Sequence, residues 1–251
     1  MTTVKEITDC IEAFAPLSLQ QSWDNCALQV GSDRQKVHGA LLTLDASEQA
    51  IKQASILGVG LVISHHPLIF DPLKSITEQS PLGRTILLAA REGISIYSSH
   101  TATDSAVGGI NCWLASRLAL TQVEPLGDMG RVGLLNSEMS MGQFNNFLKE
   151  IFDIPYVRHS LPCGPTIRKV ALCGGSGGSF LEQAVDLGAD ALVTGDVKHN
   201  VMVEALGRIT VFDVGHYESE KQFMEIMAQK IREKFPTFVL HYFNSNPVEI
   251  D

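Results

Sequence analysis

The sequence predicts an α/β protein built from two related halves, and two observations predict that class. Short apolar runs of strand length alternate along the chain with segments of helical spacing. The plan then recurs at a constant offset of 130 residues, which lays Ala40-Leu41-Leu42 on Val170-Ala171-Leu172 and Gly58 to Ser64 on Gly188 to Thr194. Short apolar strands separated by helices are the pattern of mostly parallel βαβ units. Any two βαβ units look alike at this level, so the offset is an expectation of duplication.

The elements follow in order. Val4, Ile7, Ile11 and Phe14 repeat at helical spacing, so residues 4–14 read as a helix. Gly39 to Leu44 reads as a buried strand, and Ser47 caps a helix that runs to Leu57. Leu61 to Ser64 is a second strand, Leu82 to Arg91 a second helix and Ile94 to Ser98 a third strand, with a further helix near Asn111 to Leu118. Phe144, Phe147 and Phe152 have near-helical spacing and read as core.

In the second half, strands are expected at Lys169 to Cys173, Ala191 to Thr194 and Ile209 to Val214, and helices at Phe180 to Leu187 and Val201 to Leu206. A final helix over Glu218 to Lys234 stops before Pro236, and a last strand covers Phe238 to Phe243. The expected halves are 1–125 and 126–251, joined near residues 121–131, with the last helix and strand able to pack on the first half. No Pro-rich or Ser-rich linker separates them, which predicts close packing.

Composition bounds the function. The chain has 251 residues, 45% apolar and 19% charged, which is long and apolar enough to bury a core. Its net charge of −9 with no basic run makes nucleic acid a poor partner. No apolar run approaches the ~20 residues of a membrane helix. The first residues lack the pattern of a secretory signal. Five cysteines with no C-x-x-C indicate neither a disulfide framework nor a thiolate zinc site, and fit a reducing cytoplasm.

Chemistry in parallel α/β sheets collects at the carboxyl ends of strands, and three such ends carry metal-type ligands. The first is Ser64-His65-His66-Pro67, a pair of imidazoles leaving a strand at a turn fixed by proline. The second is His100-Thr101-Ala102-Thr103-Asp104, where Asp104 is either a ligand or a cap for the next helix. The third is His216-Tyr217-Glu218-Ser219-Glu220, whose His216 and Glu220 at i and i+4 share one helix face.

Each motif alone also reads as ordinary polar loop or helix surface; their recurrence at equivalent ends raises the ligand reading. Imidazole and carboxylate without thiolate suit Zn, Mn, Fe, Co or Ni. His65, His66, Asp104, His216 and Glu220 are too many ligands for one open zinc and about right for two ions. His100 is then a group that orients a ligand or moves a proton.

The run Cys173-Gly174-Gly175-Ser176-Gly177-Gly178-Ser179 lies between a strand and a helix. It reads equally as an anion cradle of backbone amides and as a flexible turn. It is neither a Walker A loop nor a clean G-x-G-x-x-G. Trp23-Asp24-Asn25 and Asp45 are candidates to line the same cleft. Asp196, Lys198 and His199 follow the strand that the repeat pairs with His65 and His66.

Taken together these residues resemble the Nif-three-like dinuclear-metal family, also known as GTP cyclohydrolase 1 type 2 homologues. The resemblance spans essentially the whole chain. It rests on Trp23-Asp24-Asn25 with Leu28 to Gly31, Ser64 to Pro67, His100-Thr101 with Asp104, Gly108 to Asn111, Gly174 to Gly177, Thr194 to Lys198, and Gly215-His216 with Ser219-Glu220. It implies two intertwined, duplicated α/β repeats with mixed, mostly parallel sheets and a toroidal homohexamer. It also implies ligands at His65, His66, Asp104, His216 and Glu220, with Glu220 bridging, and the short form without an extra domain.

The expected activity is that of a dinuclear hydrolase acting on a nucleotide, opening the purine ring of GTP with release of formate. Gly174, Gly175, Ser176, Gly177 and Lys198 would contact its phosphates. The alternatives are a metal-dependent phosphoester hydrolase and a ring-shaped metal-binding scaffold without turnover.

Overall fold

The computed structural model describes residues 2–248. Chain order opens with β1 (Thr2–Thr3), α1 (Val4–Phe14), β2 (Ala27–Val30), β3 (Lys36–Val37) and β4 (Gly39–Thr43). It continues with α2 (Glu48–Leu57), β5 (Leu61–Ser64), α3 (Pro81–Glu92), β6 (Ser95–Ser98), α4 (Thr101–Ser105) and α5 (Ile110–Arg117). Next come β7 (Thr121–Leu126), β8 (Gly130–Ser140), α6 (Met141–Phe152), β9 (Arg158–His159), β10 (Thr166–Leu172), α7 (Leu181–Asp186) and β11 (Ala191–Thr194). The last are α8 (His199–Glu204), β12 (Thr210–Asp213), α9 (His216–Glu220), α10 (Phe223–Lys234) and β13 (Val239–Phe243).

The chain forms two compact units, and their division differs from the expected cut near residue 125. One unit runs to Val107 and resumes at Gln222; the other is Gly108–Lys221. The reason is sheet membership. β7 pairs antiparallel with β8, which pairs with β10, so residues from Thr121 on belong to the second sheet. β13 pairs parallel with β4 and so belongs to the first.

In the first unit the sheet order is β13-β4-β5-β6-β2. Its first four strands are parallel and β2 is an antiparallel edge. Every residue of β4, β5 and β6 is buried, which explains the apolar residues at their centres. Leu41, Val62 and Ile96 from these strands pack with Ile51 of α2 and Ala89 of α3. The Ser47 hydroxyl accepts from the Ala50 amide, the cap the sequence indicates. α1 begins at a reciprocal cap between Thr3 and Glu6.

In the second unit the order is β7-β8-β10-β11-β12-β9. Only β10-β11-β12 are parallel; β7, β8 and β9 join antiparallel, so this sheet is less parallel than the sequence pattern implies. Leu192 and Val211 pack with Ala184, Val132 and Leu126. Phe144 and Phe152 of α6 are buried as expected, with Phe144 edge-on to Phe212 at 5.0 Å, whereas Phe147 is half-buried.

Each of these two sheets contains three strands parallel in sequence order, β4-β5-β6 and β10-β11-β12, with a short antiparallel edge strand that precedes them in sequence paired to the third, β2 in one and β9 in the other. The 130-residue offset lays β5 on β11, whereas β6 and β12 are 115 residues apart. The single helix expected over Glu218 to Lys234 is two helices, α9 and α10, broken at Lys221–Gln222 where the chain passes from one unit to the other.

Candidate metal centre

In the first unit, parallel pairing carries three chain segments past the sheet side by side. The His65 amide donates to the Thr43 carbonyl, the His66 amide to Leu44 and the Ser99 amide to Ser64. The exits of β4, β5 and β6 therefore lie next to one another, bringing Asp45, His65, His66 and His100 to one end of the sheet.

There, His65, His66 and His100 offer ligand nitrogens all within 4.8 Å of one another. The ring centroids are 5.0 Å apart for His65–His66, 5.1 Å for His65–His100 and 5.4 Å for His66–His100. Each ring is fixed through Nδ1. His65 Nδ1 faces the Ser99 carbonyl at 3.2 Å, His66 Nδ1 the Asp45 carboxylate at 2.9 Å and His100 Nδ1 the Asp24 carboxylate at 2.9 Å. A carbonyl or carboxylate oxygen only accepts, so Nδ1 carries the proton and Nε2 of the neutral ring bears the lone pair. The Asp104 carboxylate of α4 reaches to 3.8 Å from His65 Nε2, and both side chains are buried. Asp104 is not the cap of α5, whose N-cap residue is Gly109 and which has no side-chain cap.

Asp24 accepts several hydrogen bonds at once. It accepts from His100 Nδ1, from the Thr101 amide at 3.0 Å, from the Thr101 hydroxyl and from the Asn25 amide at 2.7 Å. Burial would raise its pKa, but these hydrogen bonds and the His100 ring hold it well below the ordinary carboxylate range. Burial, and the charge of Asp24 beside it, push the Cys26 thiol up to about 12, so it is an inert neutral thiol.

In the second unit, β12 leads through Gly215 into α9. His216 Nε2 lies 2.9 Å from Glu220 Oε2, the pairing that i, i+4 spacing implies, and His216 Nδ1 faces Asp196 Oδ2 at 2.8 Å. Glu220 is buried. Its carboxylate occupies space that any side chain at Gly175 would fill: a Cβ there would sit 2.1 Å from Glu220 Oε1, and the backbone φ of +63° also favours glycine.

The glycine-rich run is a braced turn. The amide of Gly174 donates to Asn111 Oδ1, that of Gly175 to Ser219 Oγ and that of Gly177 to Thr194 Oγ1. These donors hold the turn together, and an anion would have to compete with each bond. Ser176 and Lys198 do share a cavity of about 370 Å³ with Asp196, Ser179 and Asn200. Trp23 is half-exposed, 5.8 Å from Phe70 and 6.0 Å edge-on from His100.

Sequence reading identified the five ligand candidates and His100 from local spacing. It placed Asp24, Asp45 and Asp196 only as cleft or loop residues. Their role as hydrogen-bond acceptors for His100, His66 and His216 depends on partners 76, 21 and 20 residues away, and only the repeat alignment of Asp196 with His66 pointed toward it.

Comparison with known proteins places this arrangement. The family model Duf34/NIF3 (NGG1p interacting factor 3) matches residues 2–247. A GTP cyclohydrolase 1 type 2 homolog of Clostridium perfringens is 32% identical over 246 residues, 94% of each chain. One from Lactococcus lactis is 36% identical over 231 residues, 88% of each chain. The crystal structure of a Bacillus cereus protein related to NIF3 superposes with a TM-score of 0.93 at 23% identity, covering 100% of this chain and 99% of the other, which establishes the shared fold. With a match over nearly every residue and relatives of this similarity, the chain belongs to the Duf34/NIF3 (NGG1p interacting factor 3) family.

Proposed function

We propose that the protein is a dinuclear divalent-metal hydrolase acting on a nucleotide, with GTP the first candidate and ring opening with formate release the reaction. The observation that carries this reading is the chemistry of the donors. Imidazoles whose Nδ1 atoms are held by oxygen acceptors stand with buried carboxylates, Asp104 in one unit and Glu220 in the other, and cysteine thiolates take no part. Buried carboxylates beside neutral imidazoles suit a dication, which offsets the cost of burying their charge. The names of the relatives point the same way.

In this reading His65, His66, Asp104, His216 and Glu220 hold two ions drawn from Zn, Mn, Fe, Co and Ni. When bound, the ions supply Lewis acidity and acidify water for attack at neutral pH. His100 is the proton carrier: Asp24 fixes its Nδ1–H and steadies the charged ring, so Nε2 can take up a proton or return one. With the turn amides committed, the phosphates fall to Lys198 and Ser176. Self-assembly as a toroidal homohexamer and a cytoplasmic location belong to the same proposal. No helix among the described residues is long and apolar enough to cross a membrane.

The test incubates metal-loaded protein with GTP and measures formate and phosphate. Formate supports ring opening. Phosphate alone replaces it with phosphoester hydrolysis. Neither product leaves a metal-binding scaffold. D104A abolishes whichever signal is real; equal activity in that variant identifies a contaminant. Light scattering tests the assembly: six protomer masses support the hexamer and one removes it.

A further inference from the structure

Among the non-glycine residues with positive φ, Asp196 stands out. At φ +49° it sits in the left-handed region, which glycine adopts most readily and aspartate or asparagine more readily than other L side chains. Asp153, at +56°, ends α6, a common place for that conformation. Asp196 ends no helix.

Three anchors impose the conformation. The Gly195 amide donates to the Gly175 carbonyl at 2.7 Å. The Val197 amide donates to Asp213 Oδ2 at 3.1 Å, and Arg158 donates to the Val197 carbonyl at 3.3 Å. Gly195 lies so close to the next loop that a Cβ would sit 2.8 Å from the carbonyl carbon and oxygen of Gly215 and from the His216 nitrogen. The bend of β11 is thus driven against the segment that carries His216.

The yield of this geometry is one contact, Asp196 Oδ2 on His216 Nδ1 at 2.8 Å. The carboxylate is 65% exposed, so burial does not explain why the loop is held there. The first unit does the same work without this conformation: Asp45 and Asp24 hold His66 and His100, and neither has a positive φ.

We propose that Asp196 is a positioning residue that fixes the ring orientation and Nδ1–H tautomer of His216, and that the loop takes its left-handed backbone to place it. This rests on the reading of His216 as a metal ligand. Outer carboxylates of this kind set ligand affinity for the ion by about 10–100-fold.

The experiment compares unsubstituted protein with D196G and D196N. Zinc and manganese affinities come from competition with a chelator, and melting temperatures are taken on metal-free protein. Glycine accepts the left-handed backbone and removes the acceptor, so D196G should bind the His216-dependent ion about 10–100-fold more weakly while melting no lower than the unsubstituted protein. D196N tolerates the same backbone and retains an accepting oxygen, so it should recover most of the affinity. Unchanged affinity in D196G overturns the assignment. So does a metal-free D196G that melts well below the unsubstituted protein, the signature of a merely structural residue. Failure of the unsubstituted protein to bind either metal overturns the metal-centre reading instead, and the assignment with it.

Discussion

Replacing Gly175 with alanine places a methyl carbon 2.1 Å from Glu220 Oε1 on a backbone with φ of +63°. Retreat of the backbone is blocked. Its amide donates to Ser219 Oγ at 2.9 Å, and its carbonyl accepts from the Gly195 amide at 2.7 Å and the Thr194 hydroxyl at 2.9 Å. Two costs follow. The left-handed conformation costs an alanine about 1 kcal/mol. The overlap with Glu220 adds about 1–3 kcal/mol, as overpacking does in buried sites. The sum, about 2–4 kcal/mol, lowers the melting temperature by on the order of 10 °C for a chain of this size.

The two costs separate in a double-mutant cycle. With E220A the obstacle is gone and only the backbone cost of about 1 kcal/mol remains. G175A should therefore be less damaging in the E220A background, with a coupling of about 1–3 kcal/mol. Urea unfolding of metal-free G175A, E220A and the double variant measures it. Equal cost of G175A in both backgrounds would refute the claim that this glycine exists to make room for the Glu220 carboxylate.

Two further outcomes follow from the side-chain contacts. D24N weakens the acceptor that serves His100, Thr101 and Asn25, and should cost about 2–3 kcal/mol in urea unfolding at neutral pH. Because Asp24 lies below its ordinary value of 3.8 in the folded protein, its contribution is fully present above that pH and is lost as acid protonates the folded carboxylate. The gap between unsubstituted protein and D24N should therefore be constant near neutrality and narrow only below about pH 4; a gap that closes between pH 6 and 8 would refute this. The bidentate Arg208–Glu182 pair, at 2.7 and 2.8 Å but largely exposed, makes the opposite case. R208A should shift stability by no more than about 0.5 kcal/mol by the same measurement.

The parts of this fold that the sequence displays are those buried on both faces. β4, β5, β6, β11 and β12 are wholly buried with apolar residues at their centres, and their bounds were legible within a residue or so. β7 was not, because all but its last residue is exposed, it contains Pro125, and Gln122 takes a positive φ, so no apolar period marks it. β2 and β9 are short antiparallel edges of half-buried or exposed residues. The helix break at Lys221–Gln222 contains neither glycine nor proline and follows from a change of packing partner, which local pattern does not encode. The ligand candidates were legible because each lies at the end of a legible strand. The acidic partners of their rings were not, since a hydrogen bond between distant loops leaves no spacing to read.

The pairing of β13 with β4 sets the order in which the molecule can be completed. Leu41 waits for His241, at nearly the far end of the chain, before the first sheet gains its outermost strand. On the ribosome the contiguous Gly108–Lys221 unit can close on itself while the earlier β4 still shows a bare edge, the kind of surface that recruits stray strands. Nascent chains halted before the C-terminal strand should therefore be the aggregation-prone species, and chaperone dependence should fall once that strand has emerged.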